Sequence, residues 1–400
     1  MSESPRTPVP EPELSVVIPC LNEVRSVGHC IGRAREAMER EGIVGEVIVV
    51  DNGSSDGSIE AARAAGARVV HCSVRGYGAA LQAGFAAATG RYVIMGDADG
   101  SYDFGELPRL LGRLRQGQRF VMGTRLRGTI VPGAMPLLNR YLGTPVLTAL
   151  LNALFGTRIS DCNCGLRGIE RRTLLELGLR SAGMELASEM LIRAAIRGIP
   201  IDEVPITLHR DLRDRPPHLR PWRDGWRHLR LLLWFAPDHT MTLPGLGLLG
   251  LGLILVVSQL FGPFRIGGLL FDIHYMILGL TLSLLGLSAL SMGVAVHAVM
   301  PEHTLRRTRI LGSVHTWFTF DRAMLAAAAL GLLGLVCDGL VLWHWLATGR
   351  GPLTPGYTRL TLLGLLLLAG GFQTALLALL VGSARSALAP LAHPDLADSR

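Results

Sequence analysis

The chain contains no lysine, so all 39 of its basic residues are arginine. Such uniform usage reads as codon bias, and no design is inferred from it. Cysteine is sparse and scattered, at positions 20, 30, 72, 162, 164 and 337, which excludes a disulfide framework. Cys162-Asn163-Cys164 is the only close pair and lacks a second pair at zinc spacing, which speaks against a structural zinc. A reduced, cytoplasmic globular part fits these absences. The net charge is +7, yet no nucleic-acid-binding motif accompanies it. With apolar spans present instead, the charge is assigned to anionic lipid and phosphate, not to nucleic acid. Residues 1–13 are rich in Pro and Glu and lack the apolar core of a signal peptide, so they read as a disordered leader.

What is present divides a chain of 400 residues into two units. Roughly the first 240 residues are mixed and moderately charged; the rest is dominated by Leu, Gly and Ala. In the first part, apolar runs predict strands at Leu14–Pro19, Glu46–Asp51, Ala67–His71, Tyr92–Met95, Arg119–Gly123 and Ile201–Leu208. Helical segments alternate with them, beginning near Ser26, Gly57, Gly76 and Phe104. The expectation is an α/β fold with a doubly wound, mostly parallel sheet. Ligands in such sheets bind at the carboxyl ends of the strands. Asp51, Asp97, Asp99 and the loop after Pro19 all fall at that edge.

The stretch Tyr92-Val93-Ile94-Met95-Gly96-Asp97-Ala98-Asp99 carries the central expectation. Strand side chains alternate, so two carboxylates two residues apart point the same way. Such a pair can hold a hard divalent ion against phosphate oxygens. Gly76-Tyr77-Gly78 lacks the spacing of a phosphate loop. Gly245, Gly247 and Gly250 do satisfy a dinucleotide spacing, but inside an apolar span, where small residues instead let membrane helices approach. Pro136–Phe155 is an apolar stretch that reads either as a core helix pair or as a segment against the membrane. Glu185 and Glu189 share a helix face, either solvated or functional.

From His209 to Arg230 the chain carries seven arginines against three aspartates. Trp222, Trp226, Leu229, Leu232 and Leu233 repeat there at helical spacing, with Arg223, Arg227 and Arg230 off the stripe. This predicts a basic amphipathic helix over 221–237, lying in a lipid interface. Four spans follow, at about 242–261, 273–299, 323–347 and 358–382, within a membrane domain of 238–385. Arginines concentrate before the first span and between the second and third (Arg306, Arg307, Arg309, Arg322). That asymmetry predicts a cytoplasmic amino-terminal domain (14–220) and a cytoplasmic tail (386–400). Asp338, deep in the third span, is an intramembrane acid without an assigned role.

Together these residues resemble family 2 glycosyltransferases of GT-A fold, and among them the dolichol- or polyprenyl-phosphate mannose and glucose synthases. The matching pieces are Val17-Ile18-Pro19-Cys20-Leu21-Asn22-Glu23, Val49 to Gly57, Gly76-Tyr77-Gly78-Ala79-Ala80 with Gly84, Asp97-Ala98-Asp99 and Gly123-Thr124-Arg125. Asp161 with Cys164-Gly165 and Arg167, and Glu203-Val204-Pro205-Ile206, continue the series in order. The resemblance implies that Pro19, Asn22, Glu23, Asp51 and Gly76 line a nucleotide-sugar pocket. It implies that Asp97 positions nucleotide and metal, and that Asp99 binds Mg²⁺ or Mn²⁺ bridging the donor diphosphate. Arg125, Arg210 and Arg215 would grip an acceptor phosphate. The sequence departs from the family where a third metal ligand is expected, since Ser101 stands there within Gly100-Ser101-Tyr102-Asp103. It also has Arg213-Asp214-Arg215-Pro216-Pro217 where members carry Gly-x-Ser-Lys. The Gln-x-x-Arg-Trp motif of processive synthases is absent, which counts against chain elongation.

The function expected from this resemblance is transfer of one hexose, from a UDP-hexose or GDP-mannose, to polyprenyl phosphate on the cytoplasmic face of the membrane. The first alternative is transfer to a hydroxyl acceptor such as a lipid-linked sugar, with Glu185, Glu189 or Asp161 as base. The second is an inactive nucleotide-binding membrane scaffold.

Overall fold

The computed structural model describes residues 12–213, 221–300, 305 and 319–392. The chain divides into a unit spanning Met1–Trp234 and a second spanning Phe235–Arg400.

In the first unit, β1 (Leu14–Cys20) is a buried inner strand of a seven-stranded sheet. It pairs in parallel with β2 (Gly45–Asp51) on one side and β4 (Tyr92–Met95) on the other. β3 (Arg68–His71) extends the β2 side in parallel. Beyond β4 come β6 (Arg167–Glu170), β5 (Phe120–Ile130) and β7 (Ile201–Leu208), in that spatial order. β6 runs antiparallel to both of its neighbours, so the sheet is mixed.

β6 is the one strand of this sheet that the apolar runs of the sequence do not predict. The reason is Arg167. It opens the strand with a charge, yet its side chain is fully buried. Its guanidinium is satisfied by donating to the carbonyls of Cys162 and Cys164, each at 2.8 Å, and of Ala187. A buried charge needs such partners, and they come from the preceding loop and the start of a helix rather than from the strand itself. Glu13, expected within the leader, is tied to the unit. Glu13 accepts two 2.7 Å hydrogen bonds from Arg115, and its N–H donates to Val44 O.

Helices α1 (Val27–Arg40) and α3 (Tyr77–Ala87) pack on the sheet through apolar faces. The α3 face is small because it lies close to β1 and β2. A Cβ at Gly84 would sit 2.4 Å from Val17 Cγ1 and 2.8 Å from Val50 Cγ2. Both neighbours are β-branched and stiff. Gly84→Ala should therefore cost about 1–2 kcal/mol, overpacking outweighing the usual gain in helix propensity. A thermal melt of the purified chain should fall; an unchanged or raised midpoint would refute this contact.

Among its described residues the second unit contains four helices long and apolar enough to cross a membrane: Asp238–Leu260, Ile273–Val299, Phe320–Ala347 and Pro355–Ser386. Gly245 and Gly252 of the first meet Gly286 and Ser283 of the second at backbone distance, whereas Gly247 and Gly250 face open space. Close approach is thus confined to one face. At one end of this helix pair, buried His297 Nε2 lies 2.6 Å from Asp238 Oδ1. Asp338 abuts Gly364 of the last helix. It is not paired with His344, which stacks on Tyr357 with ring centroids 3.8 Å apart.

Candidate active site

At the carboxyl ends of β1, β2 and β4 the first unit holds a cavity of ≈ 530 Å³. Its lining includes Pro19, Glu23, Asn52, Gly76, Asp97 and Asp99. A second cleft of ≈ 450 Å³ lies between Glu13, Arg91 and Arg171 and holds none of the expected site residues.

β4 ends at Met95, so Asp97 and Asp99 stand in the following turn, not on the strand as their spacing predicted. The turn reverses at Gly100, whose φ of +77° is open to glycine at little cost. Both acids still reach the cavity. Asp97 Oδ1 accepts from the Tyr77 hydroxyl at 2.8 Å. Gly165 closes on its other oxygen so tightly that a Cβ there would lie 2.7 Å away. Burial and then the neighbouring Asp99 charge push the Asp97 carboxyl up to about 6. Asp99 Oδ1 accepts from Ser101 N at 2.9 Å, and Oδ2 pairs with Arg213 at 2.8 Å. Ser101 thus meets Asp99 through its backbone.

Among the described residues, no group of three or more His, Cys, Asp or Glu side chains gathers to hold a metal. The site instead offers two neighbouring acids whose repulsion a cation would relieve. That suits Mg²⁺ or Mn²⁺, which are held by one or two carboxylates while substrate phosphates and water complete the shell.

The loops around the acids are fixed by hydrogen bonds. Asn22 takes a left-handed φ of 56°, and its Oδ1 accepts from Ser55 N at 2.8 Å. Asp51 accepts from Ser54 N at 2.8 Å and Gly53 N at 3.2 Å. Burial would raise the Asp51 carboxyl, but these donors outweigh it and hold the group below its ordinary value. Asn22 and Asp51 therefore build the loops and do not line the cavity; the lining position falls to Asn52. Asn52 accepts from Gly76 N at 2.8 Å and so sets the turn that opens α3. Gly76 has a φ of +142°, and a Cβ there would collide with Ala182 O at 2.2 Å.

The arginines distribute differently from the sequence expectation. Arg125 is buried, and its Nε and Nη2 each donate to Asp161 at 2.7 Å. Arg210 is exposed and donates to Pro132 O at 2.6 Å, outside the cavity lining. Arg215 lies outside the described residues. The cavity arginines are instead Arg75, Arg213, Arg223 and Arg227. The last two stand four residues apart on α8 (Pro221–Phe235) and flank buried Asp224, at 3.4 and 3.8 Å. Their position off the Trp stripe was the signal that could have found them. Tyr77 was likewise present in the Gly76-Tyr77-Gly78 motif without a role. Glu189 proves structural: it is buried and accepts from Arg180 N, Ser181 N and Arg193 Nε. Glu185 lies beside Gly183 and Met184 of the lining, and its Oε2 has no hydrogen-bond partner among the described residues.

Residues 15–178 match the family described as Glycosyl transferase family 2. Residues 294–385 match the Glycosyltransferase family 2 C-terminal transmembrane region. The chain is 37% identical over 350 residues to the low-salt glycan biosynthesis hexosyltransferase Agl6 of Haloferax volcanii, covering 86% of this chain and 82% of that protein. It is 34% identical over 196 residues to the dolichyl-phosphate hexose transferase of the same organism, covering 48% of this chain and 82% of that protein. A solved structure of glucosyl-3-phosphoglycerate synthase from Mycobacterium tuberculosis, in complex with Mn²⁺, UDP-glucose and phosphoglyceric acid, covers 56% of this chain and 79% of its own. Its TM-score is 0.46 at 25% identity.

Proposed function

The chain belongs to glycosyltransferase family 2, and from that premise we propose that it moves one hexose from a nucleotide sugar to polyprenyl phosphate on the cytoplasmic face of the membrane. It is an enzyme of the integral-membrane kind, with a GT-A-type mixed sheet and four apolar helices, which replaces the scaffold alternative. The observation that carries the proposal is one cavity in which Asp97 and Asp99 stand together with Arg75, Arg213, Arg223 and Arg227. An acid pair with four guanidinium groups suits a reaction that brings a diphosphate and a phosphate together.

In this reading Pro19, Glu23, Asn52 and Gly76 bound the nucleotide. Asp99, with Asp97 behind it, would hold Mg²⁺ or Mn²⁺, and the ion would neutralise the charge that develops on the departing nucleoside diphosphate. Arg125 is committed to Asp161, so its charge supports Asp97 from behind. Arg223 and Arg227, both on the cavity lining, would grip the acceptor phosphate. A phosphate is ionised near neutral pH and attacks the anomeric carbon without a general base. Family likeness implies inversion, so an α-linked donor yields a β-linked lipid phosphate sugar.

The surface supports a lipid-borne acceptor. On α8, Trp222, Trp226 and Trp234 are exposed, while Leu232 and His228 are buried, the latter hydrogen-bonded to Ser188. Arg230 lies over the Trp234 ring at 4.7 Å. Trp with Arg on one face suits a membrane interface. Leu137, Leu138, Tyr141 and Leu142 add a second exposed apolar group, favouring the membrane reading of that stretch. The cytoplasmic orientation rests on the arginine asymmetry of the loops; three of those arginines (Arg306, Arg307, Arg309) lie outside the described residues.

The dolichyl-phosphate relative supports a lipid-phosphate acceptor, and the hexosyltransferase relative a hexose. The test is purified protein with polyprenyl phosphate, a panel of labelled UDP-hexoses and GDP-mannose, and Mg²⁺, Mn²⁺ or EDTA. Labelled lipid from one donor is expected, falling at least about a hundredfold with EDTA. No labelled lipid from any donor would overturn the acceptor assignment. The unpartnered oxygen of Glu185 favours one rival, a hydroxyl acceptor with Glu185 as base. That rival requires Glu185→Gln to remove the basic group from the pH profile; an unchanged profile leaves phosphate as the nucleophile.

A further inference from the structure

The segment after β7 returns across the acid turn and is locked to it on both sides. His209 N donates to Ser101 O and Leu212 N to Asp99 O, each at 2.9 Å. The Leu212 side chain covers Gly100 so closely that a Cβ there would fall 2.8 Å from Leu212 Cδ1. This strap delivers Arg213 into the cavity. Its Nη2 lies 2.8 Å from Asp99 Oδ2 and 3.1 Å from Asp211 Oδ2, and its Nη1 lies 3.7 Å from Glu23 Oε1. The Arg213 side chain is only 14% exposed and that of Asp99 13%. Its Nε is buried and has no hydrogen-bond partner among the described residues.

The consequence concerns Asp99. One of its oxygens accepts from Ser101 N and the other faces a guanidinium. A divalent ion on that carboxylate would stand within a few ångströms of a fixed positive charge, in a site with little solvent to screen it. Ion and guanidinium cannot both be favourable there. Resting on the metal reading of Asp99 above, we propose that Arg213 is the resident counter-ion of Asp99 and that a divalent cation binds by displacing it. The displaced guanidinium remains in the cavity on its strap, where the diphosphate of a nucleotide is its natural new partner. Cation and nucleotide would therefore bind cooperatively, with Arg213 exchanging one anion for the other. Arg213 is a positioning residue in this scheme, and no step of bond making is assigned to it.

The test reads Mn²⁺ binding to the full-length purified chain by loss of the free Mn²⁺ spin-resonance signal, without nucleotide and then with UDP or GDP. Arg213→Gln should bind Mn²⁺ alone at least tenfold tighter than the unaltered chain. Arg213→Lys, which keeps the charge, should stay within about threefold of it, showing that charge and not fold is responsible. Arg227→Gln removes an equal charge from the same cavity without touching Asp99, and should shift affinity far less. Equal tightening in Arg227→Gln and Arg213→Gln, or none in Arg213→Gln, overturns the exchange. Asp99→Asn separates the two readings. If the unaltered chain binds Mn²⁺ with nucleotide and Asp99→Asn does not, the metal site stands whatever Arg213 does. If Asp99→Asn binds as well as the unaltered chain, the site and the exchange fall together.

Discussion

Asp99→Ala abolishes sugar transfer, lowering turnover at least about a thousandfold, while the protein still folds and inserts. The size follows from the chemistry. Removing one preorganised group that stabilises developing charge costs about 3–4 kcal/mol in the transition state, or two to three powers of ten. Asp99 would act through a cation, so its loss removes the ion's contribution as well. The fold should survive because Asp99 stands in a turn at the cavity edge, not in the sheet. Its removal frees Ser101 N, while Arg213 keeps Asp211 at 3.1 Å and Glu23 at 3.7 Å as counter-charges. The check is labelled-lipid formation beside a thermal melt. Wild-type-like turnover would rule out the metal role, and a collapsed melt would show that Asp99 is structural.

Asp161→Ala has the largest expected effect on stability. Asp161 is fully buried and accepts from Arg125 N at 3.1 Å, from Arg125 Nε and Nη2 at 2.7 Å, and from Asn163 N at 3.3 Å. Burial by itself would lower the basicity of Arg125, but this partner and its polar neighbours hold the guanidinium charged. Deleting the acid leaves a buried cation without its counter-charge. Such single deletions cost about 3–5 kcal/mol. For a unit of this size the melting midpoint should fall by roughly 10 °C. Replacing both partners with apolar residues should recover much of that loss, since the pair itself adds little net stability over a packed apolar substitute. A double variant as unstable as the single one would mean that the pair is needed for its hydrogen bonds to the chain rather than for charge balance. Activity should fall in both variants, because Arg125 lies close enough to Asp97 to lower its carboxyl.

The glycines illustrate how far local pattern extends into structure. In the sequence Gly84 is only one residue of a family motif and Gly168 carries no signal, because a small residue in a helix or a strand looks the same whether or not anything approaches it. The sheet decides: Gly84 meets Val17 and Val50, and Gly168 admits Ile94 and Leu114. The opposite case is the first span. Its Gly245, Gly247 and Gly250 share one spacing, yet only Gly245 touches a neighbouring helix, and Gly252 beyond them does the rest.

By itself the sequence determined whatever short-range pattern encodes. Alternating apolar runs and turns specified six of the seven strands and their common carboxyl edge. Composition specified the four apolar helices to within a few residues. The ordered motifs specified the family and placed Asp97 and Asp99 beside one another. Only the tertiary structure decided which charges meet. It buried Arg125 on Asp161, thirty-six residues away in the chain, and left Arg210 outside the cavity. It inserted β6 between β4 and β5 around a buried arginine. It brought Arg213 from the far end of the unit onto Asp99, and Arg223 and Arg227 into the same cavity. The physical reason is one of range. Periodicity and turn chemistry act over a few residues, whereas a salt bridge acts over a few ångströms, and only the folded chain says which residues those ångströms join.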